Sequence, residues 1–208
     1  MRRAGLAIRT LGVWASLASA ALAQDFQRIE LNVNAAGVFS KTTKSTNGVV
    51  SNTPTRSLAI VGSVRYHFTR MHALELSFGH SNNSQIFDVP PDSYRIATSI
   101  TEYSGAYVFS PFATKKWEPF ILGGVGGLRF SPGNTYIDGF QAALGAVQQT
   151  SLAFLYGGGA DYHLWRQLRL RLEYRGFLYK SPDFNLEPLF TGAHGHIAEP
   201  SIGLAVRF

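Results

Sequence analysis

The last ten residues, 199–208, constrain the fold of this chain more than any other stretch. They read Glu-Pro-Ser-Ile-Gly-Leu-Ala-Val-Arg-Phe, and Ile202, Leu204, Val206 and Phe208 alternate with small or polar residues. Residues two apart share one face of an extended strand, so the four apolar side chains lie together. Chain ends are usually frayed and solvated, which makes an apolar face at the last residue unusual for a soluble protein. The stretch is either a strand whose outer face meets lipid or an edge strand of a soluble β-sandwich.

The first 23 residues have the composition of a secretory signal peptide. Arg2 and Arg3 form a charged start, residues 11–22 are apolar, and Ala21-Leu22-Ala23 fits the small-x-small cleavage pattern. The apolar stretch is too short for a spanning helix, although a retained signal anchor is the alternative. We expect cleavage after Ala23, which leaves residues 24–208 as one exported domain.

The composition argues against several classes of function. The chain has no cysteine, and therefore no disulfide framework and no thiolate metal site. Without the three arginines of the signal peptide, the 19 basic residues fall to 16, against 13 acidic residues, which gives little reason to expect a nucleic-acid partner. Glycine (21 residues) and aromatic side chains are abundant, a composition that suits many strands joined by turns. We expect no cofactor.

Eight stretches of the exported domain alternate in polarity as β-strands do. They are residues 26–39, 57–68, 72–80, 94–109, 117–130, 150–162, 167–179 and 196–208. Four long polar connections are expected, at residues 41–55, 81–93, 131–149 and 180–195, and three shorter connections alternate with them. Within the third long loop, Phe140, Ala143, Leu144 and Val147 have helical spacing and predict a short helix. Up-and-down membrane barrels have this rhythm, whereas Greek-key sandwiches are not expected to keep it.

The charged residues of these strands fall on one face. We interpret them as an ion-pair network that fills the lumen of a narrow barrel, because confined charges need partners. The set contains six basic and six acidic residues: Arg28, Glu30, Arg65, Glu75, Glu102, Asp161, Arg169, Arg171, Glu173, Arg175, Glu199 and Arg207. The alternative is the wet face of a soluble sandwich, which needs no balance of charge.

The sequence does not show which residues of the fifth strand face outward and which face inward. Phe120, Leu122, Leu128 and Phe130 look outward, but Ile121 and Val125 would then face inward. The glycines at 123, 124, 126 and 127 leave room for bulky neighbours or a bend.

Aromatic residues collect beside the short turns and the C-terminus. They are Tyr66, Phe68, Phe109, Trp117, Tyr162, Trp165 and Phe208. Tyr and Trp favour the headgroup level of a bilayer, so this distribution predicts an aromatic girdle at one rim.

Together, the export signal, the eight strands, the run Arg-Leu-Arg-Leu-Glu-Tyr-Arg at 169–175 and the terminal Ile-x-Leu-x-Val-x-Phe resemble the OmpA-like family of outer-membrane β-barrel proteins. The resemblance implies an all-β fold, an eight-stranded antiparallel up-and-down transmembrane β-barrel in the bacterial outer membrane. It further implies contact with outer-membrane lipids and lipopolysaccharide. Ile202, Leu204, Val206 and Phe208 would be the signal strand that the barrel-assembly machinery recognises. The chain has no room for the peptidoglycan-binding domain of longer members.

Two patterns could carry chemistry. His80 and Ser81 are adjacent, and a deacylase acting on lipid A needs a serine, a histidine and an acidic residue in reach of one another. Adjacent strand residues point to opposite faces, which spoils such a site. His194 and His196 could share a metal ion, but two ligands are too few for a specific site.

The sequence therefore predicts a non-catalytic envelope protein with a structural or surface-interaction role through four long extracellular loops. A narrow pore for small solutes is the first alternative, and an enzyme that modifies lipid A is the second. The loops do not identify an extracellular ligand.

Overall fold

In the computed structural model of the protein, which describes residues 27–208, one antiparallel sheet closes on itself. Its eight barrel strands are β1 (Ile29–Ser40), β2 (Ser57–His67), β3 (His72–Val89), β4 (Asp92–Phe109), β5 (Trp117–Ile137), β6 (Gln149–His163), β7 (Leu168–Lys180) and β8 (His194–Arg207). Each strand pairs with its neighbour along the chain, and β8 pairs with β1. The predicted eight-stranded up-and-down barrel is confirmed. The predicted signal peptide and the start of the first strand lie outside the described residues.

The strands are strongly tilted, as the register of their pairing shows. The path of directly paired residues that begins at Glu30 passes through Arg65 and Glu75 and returns to β1 at Ser40, ten residues farther along. A closed sheet needs such a stagger, and the stagger fixes the tilt of its strands. Eight strands at this tilt enclose an interior that side chains can fill.

The two faces of the strands are inverted relative to a soluble protein. In β1, Val33 is 61% exposed whereas Asn34 is 1% exposed, and the same alternation runs along the strand. In β8, Ile202 and Leu204 are about half exposed whereas Arg207 is buried. The apolar side chains therefore cover the outside of the cylinder and the charged side chains occupy its interior, which suits a barrel surrounded by lipid.

The barrel has two unlike ends. The connections after β2, β4 and β6 form its turn end, together with both ends of the described chain, and the connections after β1, β3, β5 and β7 form its loop end. At the turn end, Phe208 and Ile29 exchange two backbone hydrogen bonds of 2.7 and 3.2 Å. The last residue of the chain is therefore part of the seam that closes the barrel.

The prediction of a second long loop at residues 81–93 is wrong. β3 and β4 continue as a paired ladder up to Val89 and Asp92, and only Pro90 and Pro91 connect them. The polar residues Asn82 and Asn83 had suggested a loop. Beyond the lipid, both faces of a ladder can be polar, so the alternation that reveals a strand is lost there.

The expected helix in the third loop is also wrong. Residues Phe140–Gln141 form a short strand that pairs with the end of β5, and the rest of 138–148 has irregular backbone. In the first loop, Ser51–Pro54 pairs with β3 and with the short segment Thr43–Lys44. The last loop, residues 181–193, contains a single 3-10 turn at Glu187–Leu189.

Within residues 27–208, no helix is both long and apolar enough to cross a membrane.

The structure also corrects the expected faces of β5. Phe120, Leu122, Leu128 and Phe130 are all buried, whereas Ile121 is 61% exposed and lies on the outside. The outward position of Trp117 sets this alternation, since every second residue after it faces lipid. The glycine run hid the pattern because it interrupts the apolar residues of the outer face.

Candidate functional site

The interior of the barrel is the candidate site, and its turn end is organised around one carboxylate. Glu30 on β1 has no exposed surface. Its oxygens lie 2.9 Å from Arg169 Nη1, 2.9 Å from Arg207 Nε, 2.5 Å from Arg171 Nη2 and 3.6 Å from Arg65 Nη1. Four guanidinium groups from β2, β7 and β8 therefore converge on a single acidic residue across the seam.

Further carboxylates complete the pairing of these arginines. Arg171 binds Asp161 through two hydrogen bonds of 2.7 Å, which is the strong bidentate geometry. Arg65 contacts Glu75 at 2.7 and 2.9 Å, and Arg207 contacts Glu118 at 3.0 Å. We call these residues the turn-end polar layer: Glu30, Arg65, Glu75, Glu118, Asp161, Arg169, Arg171 and Arg207. Buried charges are stable only when each has a close partner of opposite charge, and each residue of this layer has one.

An aromatic ring lies among these charges. The guanidinium carbons of Arg65 and Arg171 lie 4.5 and 5.0 Å from the centre of the Phe120 ring. A desolvated guanidinium gains from the face of an aromatic ring, so Phe120 both fills space and supports the two arginines.

A second group of charges lies farther toward the loop end. Arg175 donates to Glu102 at 3.0 Å and to the hydroxyls of Ser77 and Ser104 at 2.7 and 2.8 Å. Glu199 lies opposite Arg175 in the backbone register of the β7–β8 ladder. Asn34 donates to Glu173 at 3.0 Å. We call Glu102, Glu173, Arg175 and Glu199 the central polar layer.

Between the central polar layer and the loop end, the side chains that fill the lumen are apolar. This apolar layer comprises Phe87, Ile96, Leu128, Phe130, Phe177, Tyr179, Phe184, Leu189 and Ile197, all of them at most 4% exposed. The Phe130 and Tyr179 rings stack at 5.6 Å, and Phe184 meets Phe87 edge-on at 6.2 Å. Since Phe184 and Leu189 belong to the last loop, that loop covers the mouth of the barrel.

Hydrogen bonds between loops hold this cover in place. The side-chain amide oxygen of Gln149 accepts from the backbone N–H groups of Asp183 and Phe184 at 3.0 and 3.2 Å. Ser181 bonds Thr43 at 3.2 Å and accepts from Asn52 at 3.4 Å. The first loop, the last loop and the start of β6 are thereby joined over the lumen.

Eleven of the twelve residues expected in the lumen are buried there. They are Glu30, Arg65, Glu75, Glu102, Asp161, Arg169, Arg171, Glu173, Arg175, Glu199 and Arg207. Arg28 differs, because it is exposed and donates to the hydroxyl of Tyr66 at 3.4 Å. It precedes the first residue of β1, at the turn end, where water can reach it.

The expected balance of six basic and six acidic residues does not hold. Because Arg28 is exposed and Glu118 is added, five buried arginines face seven buried acidic residues in the lumen. Two histidines lie beside the acids, His67 at 3.6 Å from Glu30 and His163 at 3.5 Å from Glu118. Sequence reasoning missed Glu118 and Phe120, although the alternation counted from Trp117 would have placed both inside.

The aromatic side chains expected as a girdle lie at the turn end. Phe68, Trp117 and Trp165 are 40, 45 and 73% exposed. The rings of Trp117 and Tyr162 meet at 4.9 Å, and those of Tyr66 and Phe68 at 6.3 Å. These outward rings suit the headgroup level of a bilayer.

The two candidate chemical patterns do not assemble into sites. His80 is exposed on the outer wall whereas Ser81 is buried on the opposite face. His196 forms a 2.8 Å hydrogen bond with the Tyr156 hydroxyl, and His194 is exposed. In the part of the chain that the structure describes, no three His, Cys, Asp or Glu side chains are arranged to hold a metal ion.

Comparisons with known proteins agree with this geometry. Residues 10–208 match the family model described as outer membrane protein beta-barrel domain. No curated protein matches the sequence. Among solved structures, the chain is similar to Neisserial surface protein A, with 15% identity, a TM-score of 0.57, and coverage of 86% of this chain and 97% of that one. It is also similar to the outer membrane protein OprG from Pseudomonas aeruginosa, with 13% identity, a TM-score of 0.59, and coverage of 88% and 96%. At these identities the likeness concerns the fold alone.

Proposed function

This chain belongs to the family of outer-membrane protein β-barrel domains, and from that premise we propose that it is a non-catalytic, non-conducting barrel of the bacterial outer membrane. Its role is to occupy and support the membrane and to present its loop end as a surface for interaction. The filled lumen carries this proposal. A conducting pore needs a continuous path for water. Buried polar side chains occupy the lumen at the turn end and the centre, and buried aromatic and loop side chains occupy it toward the loop end.

The order of the layers strengthens the argument against conduction. An ion that entered from the turn end would have to separate Arg171 from Glu30 and Asp161, which are buried and in contact. It would then meet Phe130 and Phe177, which offer no ligand for an ion. Removing one partner of a buried ion pair costs about 3–5 kcal/mol, so spontaneous opening of this path is rare.

The loop end supports a role in surface interaction. Phe140 in the third loop is 80% exposed, and Val49 and Phe190 in the first and last loops are 53% and 51% exposed. Large apolar side chains at the tips of loops are suited to contact with another molecule. Loop sequence does not identify that molecule.

Single-channel recording separates the proposed function from the pore. The refolded protein should give no stable conductance steps in a planar bilayer. A matched variant in which Phe87, Phe130 and Phe177 are all alanine opens the apolar layer and should leak if it folds. Steady conductance of the wild-type protein would favour the pore for small solutes and overturn the proposal.

Loop exchange tests the surface role. Replacing residues 138–148 with a Gly-Ser linker should leave the barrel folded. It should weaken the attachment of protein-coated beads to any surface that the wild-type protein binds. The control replaces the turn-end connection, residues 110–116, in the same way. Equal attachment of both variants and the wild type would count against a role for the third loop.

The enzyme alternative has its own test. The profile of lipid A species should be the same in cells with and without the protein. A species that appears only in its presence would contradict the non-catalytic assignment.

A further inference from the structure

The outer wall of the barrel changes from apolar to basic where the strands reach the loop end. Arg56 precedes β2 and is exposed one outward position beyond Leu58, and Lys41 follows Phe39 of β1 in the same way. On β7, the outward series Leu172, Tyr174 and Leu178 ends at exposed Lys180. The outward faces of the strands thus carry long basic side chains just beyond the lipid-facing residues.

These basic residues lie on four adjacent strands. Val38 pairs with Ser57, which brings Phe39 of β1 beside Arg56, the residue before β2. Lys41 N–H donates to the carbonyl of His196 on β8 at 2.9 Å, and His194 pairs with Lys180 on β7. We call this set the basic arc: Lys41, Arg56, Lys180, His194 and His196. It covers the β7–β8–β1–β2 half of the rim, which contains the seam of the barrel.

The positive charge of the basic arc is available to an anion. Every ion pair within residues 27–208 joins side chains of the lumen, so no carboxylate of the described chain neutralises Lys41, Arg56 or Lys180. Instead, the Arg56 guanidinium lies 5.8 Å from the Phe39 ring and the Lys180 ammonium lies 5.6 Å from the Phe190 ring. These ring contacts hold the long side chains against the wall without removing their charge.

The acidic residues of the loop end lie in its turns and loops. Asp88 and Asp92 flank the turn at the tip of the β3–β4 ladder, Asp138 follows the last residue of β5, and Asp183 and the exposed Glu187 belong to the last loop, beyond Lys180. The outward basic residues therefore lie next to the lipid, and these acidic residues follow the strand ends. This order suits a partner whose negative groups lie at the membrane surface.

An apolar groove opens on the lipid-facing wall below Arg56. It encloses about 670 Å³ and crosses the outer faces of β1, β2 and β3. Gly62 leaves the gap between its neighbours, and a Cβ there would meet only the Asn32 carbonyl, at 4.0 Å. The walls are apolar: Leu31, Val33, Ile60, Val64, Leu76 and Phe78. His80 lies at the end of the groove nearest the loops.

The distance between the groove and the basic arc fits one lipid molecule. Arg56 is six residues from Gly62 along the strand, or about 20 Å of extended chain. A strand tilt of about 45° makes this about 14 Å along the membrane normal, within the roughly 15 Å of hydrocarbon in one leaflet, and about 14 Å sideways in the membrane plane. A lipid with several acyl chains and a broad headgroup can therefore hold a phosphate at Arg56 and place one acyl chain in the groove.

We propose that the basic arc and this groove form a binding site for a phosphorylated lipid of the outer leaflet. The phosphate groups lie against Lys41, Arg56 and Lys180, and one acyl chain lies in the groove beside Gly62. Arg56 offers a fork of donors that matches phosphate, and the lysines add point charges. The inference rests on the proposed function, because it needs a barrel that spans the membrane.

Lipid binding by the folded barrel tests the site. The probe is diphosphorylated, hexa-acylated lipid A, titrated into the refolded protein in a zwitterionic detergent and counted by native mass spectrometry. The triple variant K41Q/R56Q/K180Q should bind at least tenfold more weakly than the wild type. The control R129Q removes an exposed, outward basic residue of β5, outside the basic arc, and should change the affinity less than twofold. Dephosphorylated lipid A should bind the wild type as weakly as the probe binds the triple variant.

A second variant tests the groove. Replacing Gly62 with phenylalanine fills the gap from the outside, where there is space for the new side chain. This variant should fold and should bind the diphosphorylated probe several-fold more weakly. Undiminished binding by both the G62F and the triple variant, or an equal loss in R129Q, would overturn the site.

The state of the barrel is checked separately in each sample. A shift in gel mobility on heating shows that the protein is folded before any lipid is added. Weak binding by a folded wild-type barrel overturns the lipid site alone. A wild-type chain that never folds into a membrane overturns the proposed function as well.

Discussion

Glu30 shows how much of this structure depends on single residues in the lumen. Four arginines of three strands lie within 3.6 Å of its carboxylate. Those strands include β8, which meets β1 only when the barrel closes. The carboxylate therefore links the two ends of the sheet as well as neutralising its own surroundings.

Replacing Glu30 with glutamine should destabilise the barrel strongly. The substitution keeps the shape of the side chain but leaves four arginines around a neutral amide. Loss of one partner from a buried ion pair costs about 3–5 kcal/mol. The free energy of unfolding, from urea titration of the protein in lipid vesicles, measures the effect. E187Q, at an exposed site in the last loop, is the control and should stay within about 0.5 kcal/mol of the wild type. Equal stability of E30Q and E187Q would show that Glu30 does not hold the network together.

Two neighbouring glycines of β5 differ in what surrounds them. A Cβ on Gly124 would collide with the backbone of Gly105 and Ala106 on β4, whereas a Cβ on Gly123 would meet nothing within 4 Å. Gly124 points into the lumen and Gly123 points to the outside. The close approach of the two strands therefore depends on one glycine and not on the other.

Alanine at each position tests that difference. G124A should lower stability by about 1–3 kcal/mol, because the backbone of β4 has to shift away. G123A should change it by less than about 0.5 kcal/mol. Both are measured by the same unfolding titration. Similar losses in the two variants would mean that the loss of glycine flexibility, and not the contact, sets the cost.

The lumen residues show what could be predicted from the sequence at this scale. Strict alternation around Arg169, Arg171, Glu173 and Arg175 was enough to indicate one charged face. The pairing partners could not be predicted, because Glu30 and Arg171 are 141 residues apart and meet only after the sheet has closed. Phe120 was placed on the wrong face, since an aromatic side chain is compatible with lipid and also with a guanidinium partner.

At the scale of whole strands, β8 has two tasks. Its outward side chains Ile202, Leu204 and Val206 form part of the apolar outer surface. The strand also closes the seam with β1 over nine pairs of residues. Phe208 adds the final two hydrogen bonds to Ile29, and its partly buried ring continues the outward series of Ile202, Leu204 and Val206. Losing it removes a rung of the seam together with an aromatic side chain at the headgroup level.

Deleting Phe208 should therefore impair assembly. The fraction of folded protein in the outer-membrane fraction should fall several-fold, as measured by gel mobility without heating. The control F112A removes an exposed aromatic ring from the turn end, on the connection between β4 and β5, and should assemble normally. Normal insertion of the Phe208 deletion would count against a role of the last residue in assembly.

Strand boundaries were predicted best where lipid surrounds the barrel. The starts of β2, β3 and β5, at Ser57, His72 and Trp117, agree with the sequence expectation. At the loop end, the prediction ended β3 too early and began β4 too late. Asn82 and Asn83 no longer alternate with apolar residues there. Lipid enforces the period of two, and the pattern stops where the lipid stops.

At the scale of the whole molecule, the barrel is an inverted core. Outside the strands, apolar side chains meet lipid, and inside them the turn-end and central polar layers lie below an apolar layer capped by Phe184. The sequence indicated the closed cylinder and its charged interior. It could not indicate the cap, because Phe184 reaches the lumen from an irregular loop in which no period exists to be recognised.

This organisation makes a prediction about the intact protein. Every barrel strand has a hydrogen-bonded neighbour on both sides, so no sheet edge is left for a detergent to open. The protein, extracted from membranes in SDS at room temperature, should migrate on a gel at a different position from the same sample after boiling. Trypsin should cut the unboiled form only at exposed residues of its connections, such as Lys115 and Lys116, and should spare the lumen arginines, which are buried. The E30Q variant should lose the mobility difference at a lower temperature than the wild type, because its seam has lost the central carboxylate. A single position before and after boiling, or a folded chain that stays in solution without detergent, would contradict the closed, lipid-surrounded barrel.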